Sequence, residues 1–181
     1  SKYLKEHRLK FPKTFWDDFP FNLSVVDEVE RVTVTSRQYY HFIRKRAESE
    51  TAAYRPNMYE KREEEHGWLL ALYKKWGIQD EATQEMLARR YIERFIGCVE
   101  NLTNPSCTLS VRQKKQEIHK MLQNPRVRRC LHKARPHSIY MKCMLIPIRL
   151  RSVQLLYWEC KFISFVKTRD TKLFSKLKAG R

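Results

Sequence analysis

The stretch DEATQEMLARRYIERFIGCVE, residues 80–100, predicts a long amphipathic helix and with it a mostly α-helical fold. Asp80 is a favoured helix N-cap, because its carboxylate accepts a hydrogen bond from the open backbone N–H groups of a first turn. Apolar residues then recur at intervals of three and four, which places them on one helix face. The predicted core face contains Leu87, Tyr91, Ile92, Phe95, Ile96 and Val99.

A second helix is predicted just before this one. It is capped by Asn57 and ends near Gly77, a residue type that often follows the last turn of a helix. The two helices are expected to form an antiparallel hairpin over residues 56–105. The inward stripe of the first helix is predicted from Met58, Trp68, Leu69, Leu72, Tyr73 and Trp76.

Residues 106–181 are predicted to form a basic amphipathic helical tail. Ser110 and Gln113 match a capping box, in which each residue satisfies a backbone N–H of the other. From residue 138 to about 174 apolar residues alternate with cations, and Pro147 is expected to kink or break the helix in the middle.

Charge is unevenly distributed along the chain, whose net charge is +17. Residues 1–105 contain 18 Lys/Arg against 17 Asp/Glu, whereas residues 106–181 contain 19 against 3. Such an excess indicates an anionic partner or a strongly hydrated surface.

A membrane surface is one expected partner of the tail. No run of 18 apolar residues is present, so no membrane-spanning helix is predicted. A basic helix containing Trp and Phe is able to lie in the interface of an anionic bilayer. Alternatively, the helix packs on the hairpin and its lysines face water. The predicted membrane-surface residues are Arg149, Arg151, Trp158, Lys161, Phe162, Phe165 and Lys167.

Two residue types limit the function classes. Four glycines leave no glycine-rich phosphate-binding loop, so no nucleotide-binding motif is recognised. Five widely spaced cysteines, with no signal peptide ahead of them, indicate reduced thiols in a cytoplasmic protein. Cys130 and His132 lack a second ligand pair, so no metal site is predicted with certainty within the chain.

The first 55 residues predict a small β element among helices. A short helix at residues 2–9 precedes an acidic loop, and a helix follows from Pro20 to Val29. Two strands are then expected at residues 30–35 and 38–43, because both segments are rich in β-branched or aromatic residues. A polar loop completes the region.

Adjacent carboxylates distinguish the acidic loop, FWDDFPFNL, residues 15–23. Asp17 and Asp18 lie between aromatic residues, which is uncommon for a surface loop. One interpretation is structural, since either aspartate suits the cap of a helix whose first turn includes Pro20. The other is catalytic.

The order of these features resembles the end of the catalytic domain of a bacterial family 2 glycosyltransferase, an inverting enzyme of the GT-A fold. That family has an acidic pair, a helix, a strand, a Tyr-rich strand ending in Arg, and a Ser/Thr loop. The matching segments are Phe11-Pro12, residues 16–23, Val32-Thr33-Val34, residues 39–44 and Ser49-Glu50-Thr51.

The resemblance implies a catalytic role for Asp18. The second member of the family's acidic pair is the base that deprotonates the acceptor hydroxyl, a reaction that requires a carboxylate within hydrogen-bond reach. Asp17 and Trp16 are then expected to contact the acceptor. The family usually has Glu where this chain has Asp17, so the contact at Asp17 differs by one methylene.

The resemblance also implies a set of contacts to the leaving diphosphate or to a metal. His41, Arg44, Arg46 and Ser49 occupy the matching positions, and an arginine fork suits phosphate oxygens. Alternatively these residues are a strand-edge histidine and solvated loop charges. A divalent metal, Mn or Mg, is expected for the full-length enzyme and none for this fragment.

The nucleotide-binding half of the expected enzyme is not recognised in this sequence. The family's nucleotide-binding half has a metal-binding Asp-x-Asp, and this chain contains none. The chain is therefore expected to be a C-terminal fragment, inactive alone, with the catalytic end at residues 1–55. Its expected substrates are a nucleotide-sugar and a glycan or lipid-linked acceptor of cell-surface polysaccharide synthesis. The expected location is the cytoplasm or the inner face of the cytoplasmic membrane.

Two other functions remain open. A basic helical nucleic-acid-binding module is compatible with the charge and the interleaved aromatic residues, although no helix-turn-helix, zinc-finger or RNP signature is present. A helical scaffold or membrane-surface interaction domain accounts for the hairpin, but leaves the order of the segments from Asp17 to Thr51 unexplained.

Overall fold

A computed structural model describes residues 2–13, 18–27, 29–38 and 53–169, without the side chains of residues 167–169. Within these ranges the chain forms eight α-helices. They are α1 (Lys2–Glu6), α2 (Asp18–Val26), α3 (Met58–Lys75), α4 (Glu81–Leu102), α5 (Val111–Gln123), α6 (Pro125–Lys133), α7 (Ile139–Arg149) and α8 (Val153–Arg169).

The predicted β element is wrong for the residues that the structure describes. The assignment to a GT-A α/β fold, which depends on that element, is therefore wrong as well. Residues 30–35 form no strand, and Val32 and Val34 are 75% and 90% exposed. β-branched residues favour a strand only where a paired neighbour and a packed face are available. The predicted strand at residues 38–43 lies outside the described residues except for Gln38, which is not in a strand.

The chain divides into two compact units that differ from the predicted segments. Residues 1–52 and 63–78 form the first unit, and residues 53–62 and 79–181 form the second. Helix α3 therefore contributes its first turn to the second unit and the rest to the first. The predicted division into 1–55, 56–105 and 106–181 stays a prediction.

The first unit contains α1 and α2. The Tyr3 hydroxyl donates a hydrogen bond to the carbonyl of Val25 at 3.1 Å. The Phe11 and Phe21 rings stack with their centroids 4.0 Å apart. Helix α2 begins two residues before Pro20 and ends at Val26, earlier than the predicted Val29.

The second unit is built around α4, as its apolar period predicts. All six predicted core residues of α4 are buried, with Ile92 and Phe95 at 1% exposure and Val99 at 0%. Helix α4 packs against α6 and α8, while α5 and α7 both pack against α8. The core from the other helices includes Ile118, Met121, Val127, Met144, Leu145, Ile148, Leu156 and Cys160.

Two predicted helix starts are confirmed. The Asp80 carboxylate accepts a hydrogen bond from the Thr83 backbone N–H at 2.9 Å, and this bond and the Thr83 hydroxyl lower the pKa of Asp80. Ser110 and Gln113 form both bonds of a capping box. These contacts span three residues, which is why the sequence reveals them.

Pro147 lies inside the last turn of α7, and the helix ends two residues later, at Arg149. Its carbonyl accepts a hydrogen bond from the backbone N–H of Ser152 at 3.0 Å, and Arg151 adopts a left-handed φ of 52°. The segment from Leu150 to Ser152 turns the chain between α7 and α8. The expected break is confirmed, and it lies after the proline.

Candidate functional site

Asp18 is the first residue of α2, and it is exposed. Its carboxylate therefore lies at the positive end of the helix dipole, where a negative charge is stabilised. An exposed carboxylate in this position is able to accept a hydrogen bond from an incoming hydroxyl group. Asp18 is thus the first helical residue, and the N-cap position before it is that of Asp17, which lies outside the described residues.

The far end of α2 is tied to α3. Asp27 follows the helix, and its carboxylate forms a 2.6 Å ion pair with the ammonium group of Lys75. The indole N–H of Trp76 donates a hydrogen bond to the carbonyl of Asp27 at 3.3 Å. Together with the Tyr3 bond to Val25, these contacts hold the C-terminal end of α2. The N-terminal end carries Asp18 at the surface.

The other residues of the proposed catalytic set lie outside the described residues. These are Trp16 and Asp17 before α2, and His41, Arg44, Arg46 and Ser49 after it. Their grouping with Asp18 stays a prediction.

The chain is firmly held at residues 54 and 55. The Asn101 side chain accepts a hydrogen bond from the Arg55 backbone N–H at 2.9 Å and donates one to the Arg55 carbonyl at 2.8 Å. The backbone N–H of Tyr54 donates to the Ser106 hydroxyl at 2.7 Å. Burial is the main cause that raises the pKa of Tyr54, and nearby Cys107 raises it further. The sequence pattern did not reveal this contact, because it joins residues 46 positions apart.

A cleft of about 500 Å³ adjoins this contact within the second unit. The Asn124 amide donates a hydrogen bond to the Tyr59 hydroxyl at 2.8 Å, and Asn124 also caps α6. Both polar and apolar side chains line this cleft. The lining includes Tyr54, Arg55, Glu60, Asn101, Gln113, Glu117, Lys120 and Asn124, together with Met58, Leu102, Leu109 and Met121.

One face of α8 exposes large apolar side chains. Leu155 is 52% exposed, Trp158 56%, Phe162 66% and Phe165 52%. The ammonium group of Lys161 lies 5.0 Å from the centroid of the Trp158 ring. Four of the predicted membrane-surface residues are thus exposed on α8, namely Trp158, Lys161, Phe162 and Phe165. The side chain of Lys167 lies outside the described part of the chain.

Helix α7 and the turn after it also expose apolar side chains between cations. Ile139 is 77% exposed, Ile146 54% and Leu150 64%. Lys142 and Arg149 are exposed on the same helix. The predicted Arg149 and Arg151 line a cleft of about 830 Å³ together with Arg128, Arg129 and His132. The last three were not predicted, since they belong to a different helix.

Among the residues that the structure describes, no group of three or more His, Cys, Asp or Glu side chains is arranged to hold a metal ion. The divalent metal that the resemblance implies for the full-length enzyme stays a prediction. No helix in the described ranges is long and apolar enough to cross a membrane.

Comparison with known proteins gives no relative from which a function transfers. No family model, no curated protein and no solved structure matches this chain.

Proposed function

We propose that the chain is the acceptor-side part of a glycosyltransferase, which moves a sugar from a nucleotide-sugar donor to a glycan or lipid-linked acceptor in cell-surface polysaccharide synthesis. The observation that carries the proposal is the exposed carboxylate of Asp18 at the start of a helix whose other end is held in place. The acidic pair followed by a helix, the part of the resemblance to family 2 glycosyltransferases that does not depend on the predicted strands, supports it.

The reaction assigned to Asp18 is general-base catalysis. Its carboxylate accepts the proton of the acceptor hydroxyl as that oxygen forms a bond to the anomeric carbon of the donor sugar. The bond from the anomeric carbon to the diphosphate breaks, and its electron pair leaves with the nucleoside diphosphate. Attack opposite to the leaving group inverts the anomeric configuration. A base positioned in this way typically contributes about 10²- to 10⁴-fold to the rate.

Among the described residues, Asp18 is surrounded by helices and not by the α/β elements that the resemblance implies. The carboxylate is presented by α2, which is tied to α1 and to the end of α3, with no described strand beside it. The proposal therefore rests on the acidic pair and its helix, and it does not include the predicted α/β fold. The donor nucleotide is assigned to a domain that this chain does not contain.

The diphosphate contacts remain with His41, Arg44, Arg46 and Ser49. The guanidinium groups of Arg44 and Arg46 are suited to neutralise the charge that develops on the leaving group, and the Ser49 hydroxyl is suited to donate a hydrogen bond to it. Asp17 and Trp16 are assigned to the acceptor. Nine residues after Arg44 the chain enters the second unit, where Asn101 holds Arg55.

Sugar transfer by the natural polypeptide that contains this chain tests the proposal. A panel of labelled nucleotide-sugars is incubated with glycan and lipid-linked acceptors, and both nucleoside diphosphate release and the anomeric configuration of the product are measured. We expect release that depends on the acceptor and a product of inverted configuration. Salt-sensitive binding of nucleic acid, without consumption of any donor, would instead identify a nucleic-acid-binding module.

A further inference from the structure

We propose that the outer face of α7 and α8 binds the surface of an anionic lipid bilayer. This α7–α8 face goes beyond the proposed transfer reaction and does not depend on it. It consists of Ile139, Lys142, Ile146, Arg149, Leu150, Leu155, Trp158, Lys161, Phe162 and Phe165, all of which are exposed.

The apolar part of the face follows the period of a helix. Leu155, Trp158, Phe162 and Phe165 are separated by three, four and three residues, so they line one side of α8. Each is more than half exposed. Contiguous exposed apolar side chains of this size mark interaction surfaces.

The opposite side of α8 is already used by the core. Leu156 and Cys160 are 0% exposed and Tyr157 is 3% exposed. Ile163 packs against the same core cluster. More than half of each stripe side chain therefore stays exposed while the opposite side packs in the core, so we expect substitutions on the stripe to be compatible with folding.

Cations lie among the apolar residues of the face. Lys142 and Arg149 are exposed on α7, and Lys161 lies within the stripe of α8. Because the Lys161 ammonium lies over the Trp158 ring at 5.0 Å, its charge stays close to the apolar surface. Long basic side chains beside Trp are suited to the bilayer interface, where the stem contacts acyl chains and the charge reaches phosphate.

Charge complementarity identifies the occupant. Residues 106–181 contain 19 Lys/Arg and three acidic residues, and Glu159 is the only acidic residue between Ile139 and Arg169. Glu159 is itself partly buried, and burial raises its pKa. The cleft formed by Arg128, Arg129, Arg149 and Arg151 offers guanidinium groups for headgroup phosphates at the end of α7.

The mixture of groups favours a bilayer over nucleic acid. A phosphate-binding helix needs cations, but it does not need three exposed aliphatic side chains on α7 and its turn and four large apolar side chains on α8. In a bilayer interface the apolar side chains insert at the boundary with the acyl chains, while the cations contact the headgroups above them.

Vesicle flotation of the whole chain tests the inference. The vesicles contain phosphatidylcholine alone or an equal mixture of phosphatidylcholine and phosphatidylglycerol. We expect recovery with the anionic vesicles and little with the neutral ones. The Lys142→Gln/Arg149→Gln double variant should bind about 25-fold more weakly, at about fivefold for each cation removed.

Matched variants separate a specific surface from net charge. The Lys10→Gln/Lys74→Gln variant removes two exposed cations from the first unit and should bind as the wild type does. Trp158→Ala/Phe162→Ala should lose at least about tenfold in affinity, whereas Val32→Ala/Val34→Ala, which shortens two exposed valines, should lose none. Circular dichroism confirms that each variant is folded.

Four outcomes would overturn the inference. The first is no recovery with anionic vesicles, and the second is equal loss of binding in the matched variants. The third is binding of duplex DNA that removes the chain from vesicles. The fourth is self-association that covers the face. Because none of these measurements requires sugar transfer, failure here leaves the assignment of Asp18 unaffected.

Discussion

Tyr140 shows how a single buried contact carries a pH dependence. Its hydroxyl donates a hydrogen bond to the Glu100 carboxylate at 2.9 Å. Burial, and then the negative charge of Glu100, raises the pKa of Tyr140 above its ordinary value. The folded chain therefore holds the phenolic proton more tightly than the unfolded chain does.

We expect this stabilisation to be complete below pH of about 10, the unfolded pKa of tyrosine, and to be lost as the pH rises toward the folded pKa. Urea unfolding followed by circular dichroism at pH 8 and pH 11 measures it. The free energy of unfolding should fall less between these pH values in Tyr140→Phe than in the wild type. Equal falls in both proteins would contradict the assignment.

Asn101 has a structural role that its sequence context hides. It begins the pattern Asn101-Leu102-Thr103, a glycosylation sequon in secreted proteins. In the structure its amide satisfies both the N–H and the carbonyl of Arg55. The side chain thus replaces a backbone partner for a loop residue.

Asn101→Ala removes both bonds and should lower the free energy of unfolding by about 1–3 kcal/mol. Urea unfolding at neutral pH measures the change, and Gln123→Ala, an exposed substitution at the end of α5, is the control. The same stability in Asn101→Ala and the wild type would show that the contact at Arg55 is not formed in solution.

At the scale of elements, contacts between residues close in the sequence were predictable, and contacts between distant segments were not. The capping box of Ser110 and Gln113 and the core face of α4 involve neighbours within four residues. Residues 30–35 have the composition of a strand, but a strand requires a partner that composition does not reveal. Pro147 predicted a break and not its position. The break follows the last turn of α7, where the carbonyls of Ile146, Pro147 and Ile148 accept hydrogen bonds from the backbone N–H groups of Leu150, Ser152 and Arg151.

The same limit applies to the candidate site. The exposed stripe of α8 is encoded by the spacing of Leu155, Trp158, Phe162 and Phe165. The cleft that Arg128 and Arg129 of α6 share with Arg149 could not be predicted from spacing, because the packing of separate helices brings these residues together. The role of Asp18 stays a prediction that came from the order of the segments around it, and the structure adds its position as the first residue of α2.

At the scale of the second unit, stability depends on α4. Phe95 is 1% exposed, and the Tyr59 ring meets it edge-on at a centroid distance of 6.4 Å. Phe95→Ala removes a large side chain from the centre of the core.

We expect Phe95→Ala to lower the free energy of unfolding by about 3–5 kcal/mol. Urea unfolding followed by circular dichroism measures the loss, and Phe162→Ala is the control, because that ring is 66% exposed. A similar loss in both variants would contradict the assignment of α4 to the core and of α8 to the outer face.

For the whole molecule, the proposed reaction depends on one carboxylate. We expect Asp18→Asn to reduce sugar transfer by the natural enzyme by at least about 100-fold and to leave donor binding within about threefold, because the base acts on the acceptor and not on the nucleotide. Glu30→Gln, which neutralises an exposed carboxylate of the same unit, should retain both transfer and binding.

The rate of sugar transfer by Asp18→Asn at saturating donor is therefore the most direct measurement. Loss of transfer with intact donor binding is the result that we predict. Turnover equal to that of the wild type would remove Asp18 as the base and, with it, the proposed reaction of this chain.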